Sequence, residues 1–330
     1  MIFVDNQSVN DPRINLAIEE YLQRNLATAD DILLFYINEP SIIIGRHQNT
    51  FEEINQTYVT EHGVHIVRRL SGGGAVYHDL GNLNFSFITT YIEGDFHNFA
   101  KFTRPVIAAL QGMGVAAELS GRNDIQVEQR KISGNAQYHS GSRMVTHGTL
   151  LFDTRIENLV AALNVKATKI TSKGIKSLRS RVANISEYLA EPMDILEFRR
   201  RILASLFDNR PEIPQYVLQE ADWKQINEIA QQRYFTWDWN YGRSPDFNIQ
   251  KVHRFAFGEV DARINVSRGV IESVRFFGDY QSTDDVDLLE SRLAGVRYDS
   301  ASLEEVLQQV DLNRFFAGLS SQDFIHFLFD

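Results

Sequence analysis

The sequence predicts an α+β fold in two parts, a large N-terminal domain over residues 1–245 and a small α+β accessory domain over residues 246–330. Three observations carry this. Short alternating or wholly apolar runs at 32–36, 41–45, 83–88 and 144–152 are separated by turn residues. Helical periodicity is confined to a few flanking stretches, so strands do not alternate one for one with helices as βαβ units require. Near residue 240 an aromatic cluster, Trp237, Trp239 and Tyr241, gives way to Gly242, Ser244 and Pro245, the composition of a boundary. With 330 residues, 43% of them apolar, the chain can fill a sizeable core.

Taken in order, Asn10, Asp11 and Pro12 form a helix start, and Ile14, Ile18, Tyr21, Leu22 and Leu26 are spaced as one apolar stripe. The runs 32–36 and 41–45 read as two strands with the turn Asn38-Glu39-Pro40 between them. Arg46 leaves the second strand at its end, either against a ligand or in an exposed loop. A strand at 83–88 follows, then a helix from about 103 to 113 punctuated by Gly112 and Gly114. Strands at 124–127 and 131–132 join through Glu128, Gln129 and Arg130, and another covers 144–152. Helices are expected at 194–207 and 223–232. Past the boundary, 253–258, 260–266 and 269–277 alternate as three antiparallel strands turning at Arg268 and Gly269, with helices at 285–293 and 302–316. This tail carries no catalytic constellation.

Composition excludes several classes. The formal net charge of −10 argues against a general nucleic-acid binder, whose affinity rests on clustered Lys and Arg. Nothing approaches the ~18 apolar residues needed to cross a bilayer, and residues 1–5 lack a basic segment followed by an apolar one, so no membrane is expected and the protein reads as cytoplasmic. The absence of cysteine rules out disulfides, cysteine-based zinc sites and a thioester on the enzyme. His62 and His65 lie close together, but there is no H-E-x-x-H helix, and no G-x-S-x-G elbow supports serine-hydrolase chemistry.

The stretch from Val64 to Asn82 organises the rest. Its first half alternates around Val64, Ile66 and Leu70, so Arg68 and Arg69 point to opposite faces, one into a site and the other to solvent or a second layer. Gly72, Gly73 and Gly74 follow, a turn or a loop that lets a ligand reach the main-chain N–H groups. Neither G-x-G-x-x-G nor G-x-x-x-x-G-K-[ST] is satisfied, because Tyr77 stands at the third glycine position and Ala75, Val76 and Tyr77 continue as a strand. Between Asn158 and Ser186 lie Lys166, Lys169, Lys173, Lys176, Arg179 and Arg181 with no acidic residue. Against the overall charge, this island reads as a docking or phosphate-binding surface.

RRLSGGGAVYHDLGN resembles the lipoate-binding signature of lipoate–protein ligases. Three further stretches fit the same pattern in order: Gly121-Arg122-Asn123-Asp124, Lys131-Ile132-Ser133-Gly134-Asn135-Ala136, and Lys173 through Val182. The resemblance covers most of the first 240 residues. It implies a large mixed-sheet catalytic domain of the biotin/lipoate ligase (class II synthetase-like) type with a mobile C-terminal accessory domain. It also implies activation of lipoate by ATP and Mg²⁺ to lipoyl-AMP, then transfer to a lysine of a 2-oxoacid dehydrogenase E2 lipoyl domain or a glycine-cleavage H protein. Lys131 becomes the central contact, bridging the α-phosphate and the acyl carboxylate. Arg69, Gly73, Gly74, Ala75, Val76 and Tyr77 hold the nucleotide, with Asn123 beside them. Asp124 is the magnesium or pyrophosphate-side carboxylate. His78 and His147 fit a site role or a place in the core equally. Two alternatives stand beside the ligase: a lipoyl amidotransferase or relay protein working without ATP, and a non-catalytic lipoate-binding protein. Lys131 argues against the last, since binding alone needs no α-phosphate contact.

Overall fold

In a computed structural model of the chain, residues 1–163, 181–242 and 248–329 are described. Fourteen strands run in chain order as β1 (Ile2–Asp5), β2 (Ile32–Ile37), β3 (Ser41–Ile44), β4 (His65–Arg68), β5 (Val76–His78), β6 (Asn82–Thr90), β7 (Glu118–Ser120), β8 (Asp124–Val127), β9 (Arg130–Ser140), β10 (Arg143–Leu151), β11 (Gln215–Tyr216), β12 (Ile249–Phe255), β13 (Gly258–Ser267) and β14 (Val270–Gly278) among the described residues. Eight form one mixed sheet in the order β11-β1-β2-β6-β10-β9-β8-β7. In it β1 pairs in parallel with both β2 and β11, and the remaining neighbours are antiparallel.

Alternation along β2 shows why that strand is apolar throughout. Leu33 and Phe35 enter one core with the helices Phe99–Gly112 and Ile195–Leu206, while Ile32, Leu34 and Tyr36 enter another with the helices Pro12–Arg24 and Glu220–Ile229. A strand covered on both faces has no solvent side to make polar. The first helix starts as its sequence suggests, with Asp11 as N-cap accepting from the Arg13 N–H and Pro12 at the first helical position.

Strands β2 and β3 are not a hairpin. The chain changes sheets between them, and β3 becomes the centre of a small sheet, parallel to β4 and antiparallel to β5. The physical reason is Asn38, which turns inward and is fully buried by hydrogen bonds to Asn15 and His78 instead of capping a surface turn. Other expectations shift by less. The helix expected from 103 begins at Phe99, and Gln56–His62 and Ser321–Phe329 are helices that were not anticipated. The turn at Glu128 and Gln129 has φ of 49° and 63°, the paired left-handed conformation of a tight two-residue hairpin.

Strands β12, β13 and β14 form their own antiparallel sheet, turning at Arg268 and Gly269, and close a separate core around Phe276, Phe316 and Phe324. The expected boundary at 245/246 lies outside the described residues. Among the described residues no helix is long and apolar enough to cross a membrane.

Candidate active site

As alternation implies, Arg68 and Arg69 diverge. Arg68 is fully buried in a second layer and donates to the carbonyls of Gly45 (2.9 Å), Gln48 (2.6 Å) and Trp239 (2.9 Å) and to Thr50 Oγ1 (2.7 Å). Arg69 faces the glycine loop. Its Nη2 reaches the carbonyls of Gly72 (2.7 Å) and Gly74 (2.8 Å), Nη1 that of Ile43 (3.0 Å), and Nε the Ser71 hydroxyl (2.9 Å). Burial pulls its pKa down to about 10, which leaves the guanidinium charged at neutral pH. Most of Arg69's donors therefore shape the loop instead of standing open for a phosphate.

The loop is held from two sides by close backbone approach. A Cβ on Gly45 would lie 1.9 Å from the Gly73 carbonyl oxygen, and one on Gly72 would lie 2.2 Å from that of Tyr280 in the C-terminal unit. Gly74 has open space around it. Gly45→Ala is accordingly expected to cost about 1–3 kcal/mol by overpacking, with Gly74→Ala nearly silent. Equal denaturant midpoints for the two variants would contradict this account of the loop.

Behind the loop is a cavity of ≈ 130 Å³ between the large and small sheets. Gly73, Gly74, Ala75, Val76, His78, Asn123, Lys131 and His147 all contribute to its wall, so the structure brings most of the expected site residues together. Asp124 joins them only through its ion pair with Lys131, and Tyr77 stands apart. The tyrosine lies between Val76 and His78 on β5, and alternation turns its side chain into the small core with Ile42 and Ile66. There burial, and after it the charge of Asp79, pushes the Tyr77 phenol up to about 12.

The cavity is graded in exposure. At its open end the Lys131 side chain is 40% exposed and pairs with Asp124 at 2.9 Å. A Cβ on Gly134 would sit 2.9 Å from Lys131 Nζ, so the glycine makes room for the ammonium. The main chain of Lys131 is pinned by residues 181–183: its N–H donates to the Arg181 carbonyl (2.6 Å), and the Ala183 N–H donates to its own carbonyl (3.0 Å). Asn135 ties Asn123 into the wall through its main-chain and side-chain N–H groups. At the other end Tyr36, His78 and Asn84 are buried.

Two residues of the site were not anticipated. Ser71 Oγ lies 2.7 Å from His147 Nε2, and His147 Nδ1 lies 2.9 Å from Glu19 Oε2, so a hydrogen-bonded chain runs from the first helix to Arg69. Glu19 leaves a signal in the sequence, since it follows Asn15 by four residues on the buried helix face, and two polar groups in an apolar stripe need partners. Arg46 answers to neither expectation. It is buried, paired with Asp285 and Asp287, and stacked 4.4 Å over the Trp239 ring. Of the basic island, Lys166, Lys169, Lys173, Lys176 and Arg179 lie outside the described residues.

No group of three or more His, Asp or Glu that could hold a metal occurs among the described residues. Asp124 is a single carboxylate beside an ammonium, and it fits a cation that arrives already carried by phosphates.

Residues 11–207 match the family model of the lipoyl protein ligase A/B catalytic domain, and residues 244–328 that of the bacterial lipoate protein ligase C-terminus. The chain is 53% identical to the lipoate-protein ligase LplJ of Bacillus subtilis over 331 residues, covering 100% of both chains. Among solved structures it resembles P. falciparum LipL1 in complex with lipoate, with a TM-score of 0.79 at 26% identity over 94% of each chain. It also resembles lipoate-protein ligase A bound with ATP, with a TM-score of 0.62 at 28% identity over 73% of this chain and 97% of that one. A mixed sheet, a glycine loop clamped by Arg69 and a cavity opening at Lys131 accompany a full-length match of this strength, and the chain belongs to the lipoate–protein ligase family.

Proposed function

We propose that this protein is an ATP-dependent lipoate–protein ligase that forms lipoyl-AMP and then transfers the lipoyl group to a lysine of an acceptor protein. The observation that carries the reading is the grading of one cavity, which opens at the half-exposed ammonium of Lys131 and ends among the buried side chains of Tyr36, His78 and Asn84. In the first step a carboxylate oxygen attacks the α-phosphorus and the bond to pyrophosphate breaks. Two anions must meet, and Lys131 at the cavity mouth is a cation suited to bridge them. In the second step the acceptor amine attacks the mixed-anhydride carbonyl and AMP leaves. Arg69 acts through the glycine loop, whose carbonyls it holds. Magnesium, brought on the nucleotide phosphates beside Asp124, would offset charge on the leaving pyrophosphate.

The amidotransferase alternative needs a nucleophile, and the contacts of Ser71 with His147 and of His147 with Glu19 have the connectivity of a catalytic triad. Ser71 has no exposed surface, however, and its hydroxyl accepts from Arg69. That arrangement supports a fixed hydrogen-bond chain and no acyl-serine. Incubation with lipoate and magnesium-ATP should therefore yield lipoyl-AMP that is released on denaturation, with no mass adduct on the polypeptide. A stable adduct, or lipoyl transfer between proteins in the complete absence of ATP, would promote the amidotransferase.

The natural acceptors of such a reaction are E2 lipoyl domains of 2-oxoacid dehydrogenases and the glycine-cleavage H protein, and the cytoplasm is where ATP and these acceptors meet. Residues 1–245 would carry catalysis and residues 246–330 act as the accessory unit. Docking of that unit on the glycine loop through Tyr280 supports its involvement in closing the site.

A further inference from the structure

We propose that His78 presents a fixed N–H donor to the buried end of the cavity and so favours an acyl chain ending in a ring disulfide over a saturated chain such as octanoate. This rests on the reading that the cavity holds the acyl group. The polarity of the donor follows from a chain of amides. Val9 offers a main-chain carbonyl, which can only accept, and it receives Asn6 Nδ2 at 2.7 Å and Asn15 Nδ2 at 2.9 Å. Those contacts fix which end of each amide is nitrogen. The Asn15 oxygen accepts from Asn6 (2.9 Å), and Asn15 Nδ2 also donates to Asn38 Oδ1 (2.9 Å). Asn38 must then turn its own Nδ2 toward His78 Nδ1, which lies 3.0 Å away. An amide N–H donates, so Nδ1 holds a lone pair.

The ring is neutral, because burial first, then Arg69 and His147, pulls its pKa down to about 3. A neutral imidazole with Nδ1 as acceptor carries its proton on Nε2. That nitrogen is buried, has no partner among the described residues, and belongs to a residue only 3% exposed that lines the cavity with Leu16, Tyr36, Ile43, Val76 and Asn84. A buried N–H without an acceptor is costly, and whatever fills the cavity decides whether the cost remains. A disulfide sulfur accepts weakly. A methylene or methyl group does not accept at all. Discrimination of this kind comes from the site's own unpaired group, and a weak acceptor makes it modest.

The test compares wild type, His78→Phe and His78→Gln by calorimetric affinity for lipoate and octanoate without ATP, and by kcat/KM for each acid in ATP–pyrophosphate exchange. His78→Phe should lower the lipoate-to-octanoate ratio about five- to tenfold, mainly through lipoate, while His78→Gln, which retains a donor, should restore part of it. Two-bond ¹H–¹⁵N correlation of the unaltered protein should place the proton on Nε2, and lipoate should shift that nitrogen more than octanoate does. A ratio unchanged in His78→Phe, or a proton on Nδ1, overturns the proposal. Wild type that binds both acids but exchanges with neither would instead count against the ligase reading, leaving the affinity ratio to judge His78.

Discussion

Lys131→Ala should slow lipoate-dependent ATP–pyrophosphate exchange by about 10²–10³ while leaving the unfolding curve in place. The two halves of that expectation have separate physical grounds. For folding, the side chain is 40% exposed and its recorded ion pair, to Asp124, is with a carboxylate 37% exposed. Exposed pairs of this kind contribute only ~0–1 kcal/mol. For catalysis, the ammonium stands at the cavity mouth; in the proposed reaction an acyl carboxylate and an α-phosphate meet there, and a charge-assisted contact that tightens in the transition state is worth about 3–4 kcal/mol. Asp124→Asn makes a useful companion, since it removes the pair and keeps the lysine. Exchange within twofold of wild type in Lys131→Ala would take the lysine out of its assigned role.

Arg68→Ala should do the reverse and act on the fold, with a loss of about 3–5 kcal/mol in denaturant unfolding. Its guanidinium is completely buried and serves carbonyls of the segment after β3 and of the turn around Trp239, together with the Thr50 hydroxyl. Truncation leaves those acceptors dry and opens a cavity of arginine size. Arg68→Lys recovers little, because one ammonium cannot span acceptors arranged around a planar fork. A midpoint unchanged within error in Arg68→Ala would contradict the assignment of this residue to the hidden layer.

The pair Arg68 and Arg69 also shows how far sequence reasoning reaches. That they part company follows from strand period alone, but which carbonyls each one serves depends on elements brought in from elsewhere, the short helix Trp237–Asn240 and strand β3 among them. The cap at Asp11 and the hairpins at Glu128 and Arg268 were legible for the same local reason. Tyr77 fell on the wrong side because a motif groups consecutive residues, whereas a strand separates them. The chain from Glu19 through His147 to Ser71 links a helix, a strand and a loop, with 128 and 76 residues between successive partners, and no local pattern announces such a meeting. The division of β2 and β3 between sheets was hidden likewise, since it is decided by a buried amide whose partners come from the first helix and from β5.

Strand β1 pairs on one side with β2 and on the other with β11, whose residues Gln215 and Tyr216 are 212 positions further along the chain. During synthesis at roughly 5–20 residues per second, the second partner of β1 leaves the ribosome about 10–40 s after β1 itself. For that interval one edge of an apolar strand is unpaired, and the helix Glu220–Ile229 that covers part of this face does not yet exist. Nascent chains are thus exposed to edge-to-edge association at a stage when β3, β4 and β5, drawn from residues 41–78, are already complete in sequence. Slower translation before residue 216 would lengthen that exposure, so the yield of folded protein should respond to codon choice upstream of β11 more than to codon choice in the C-terminal unit.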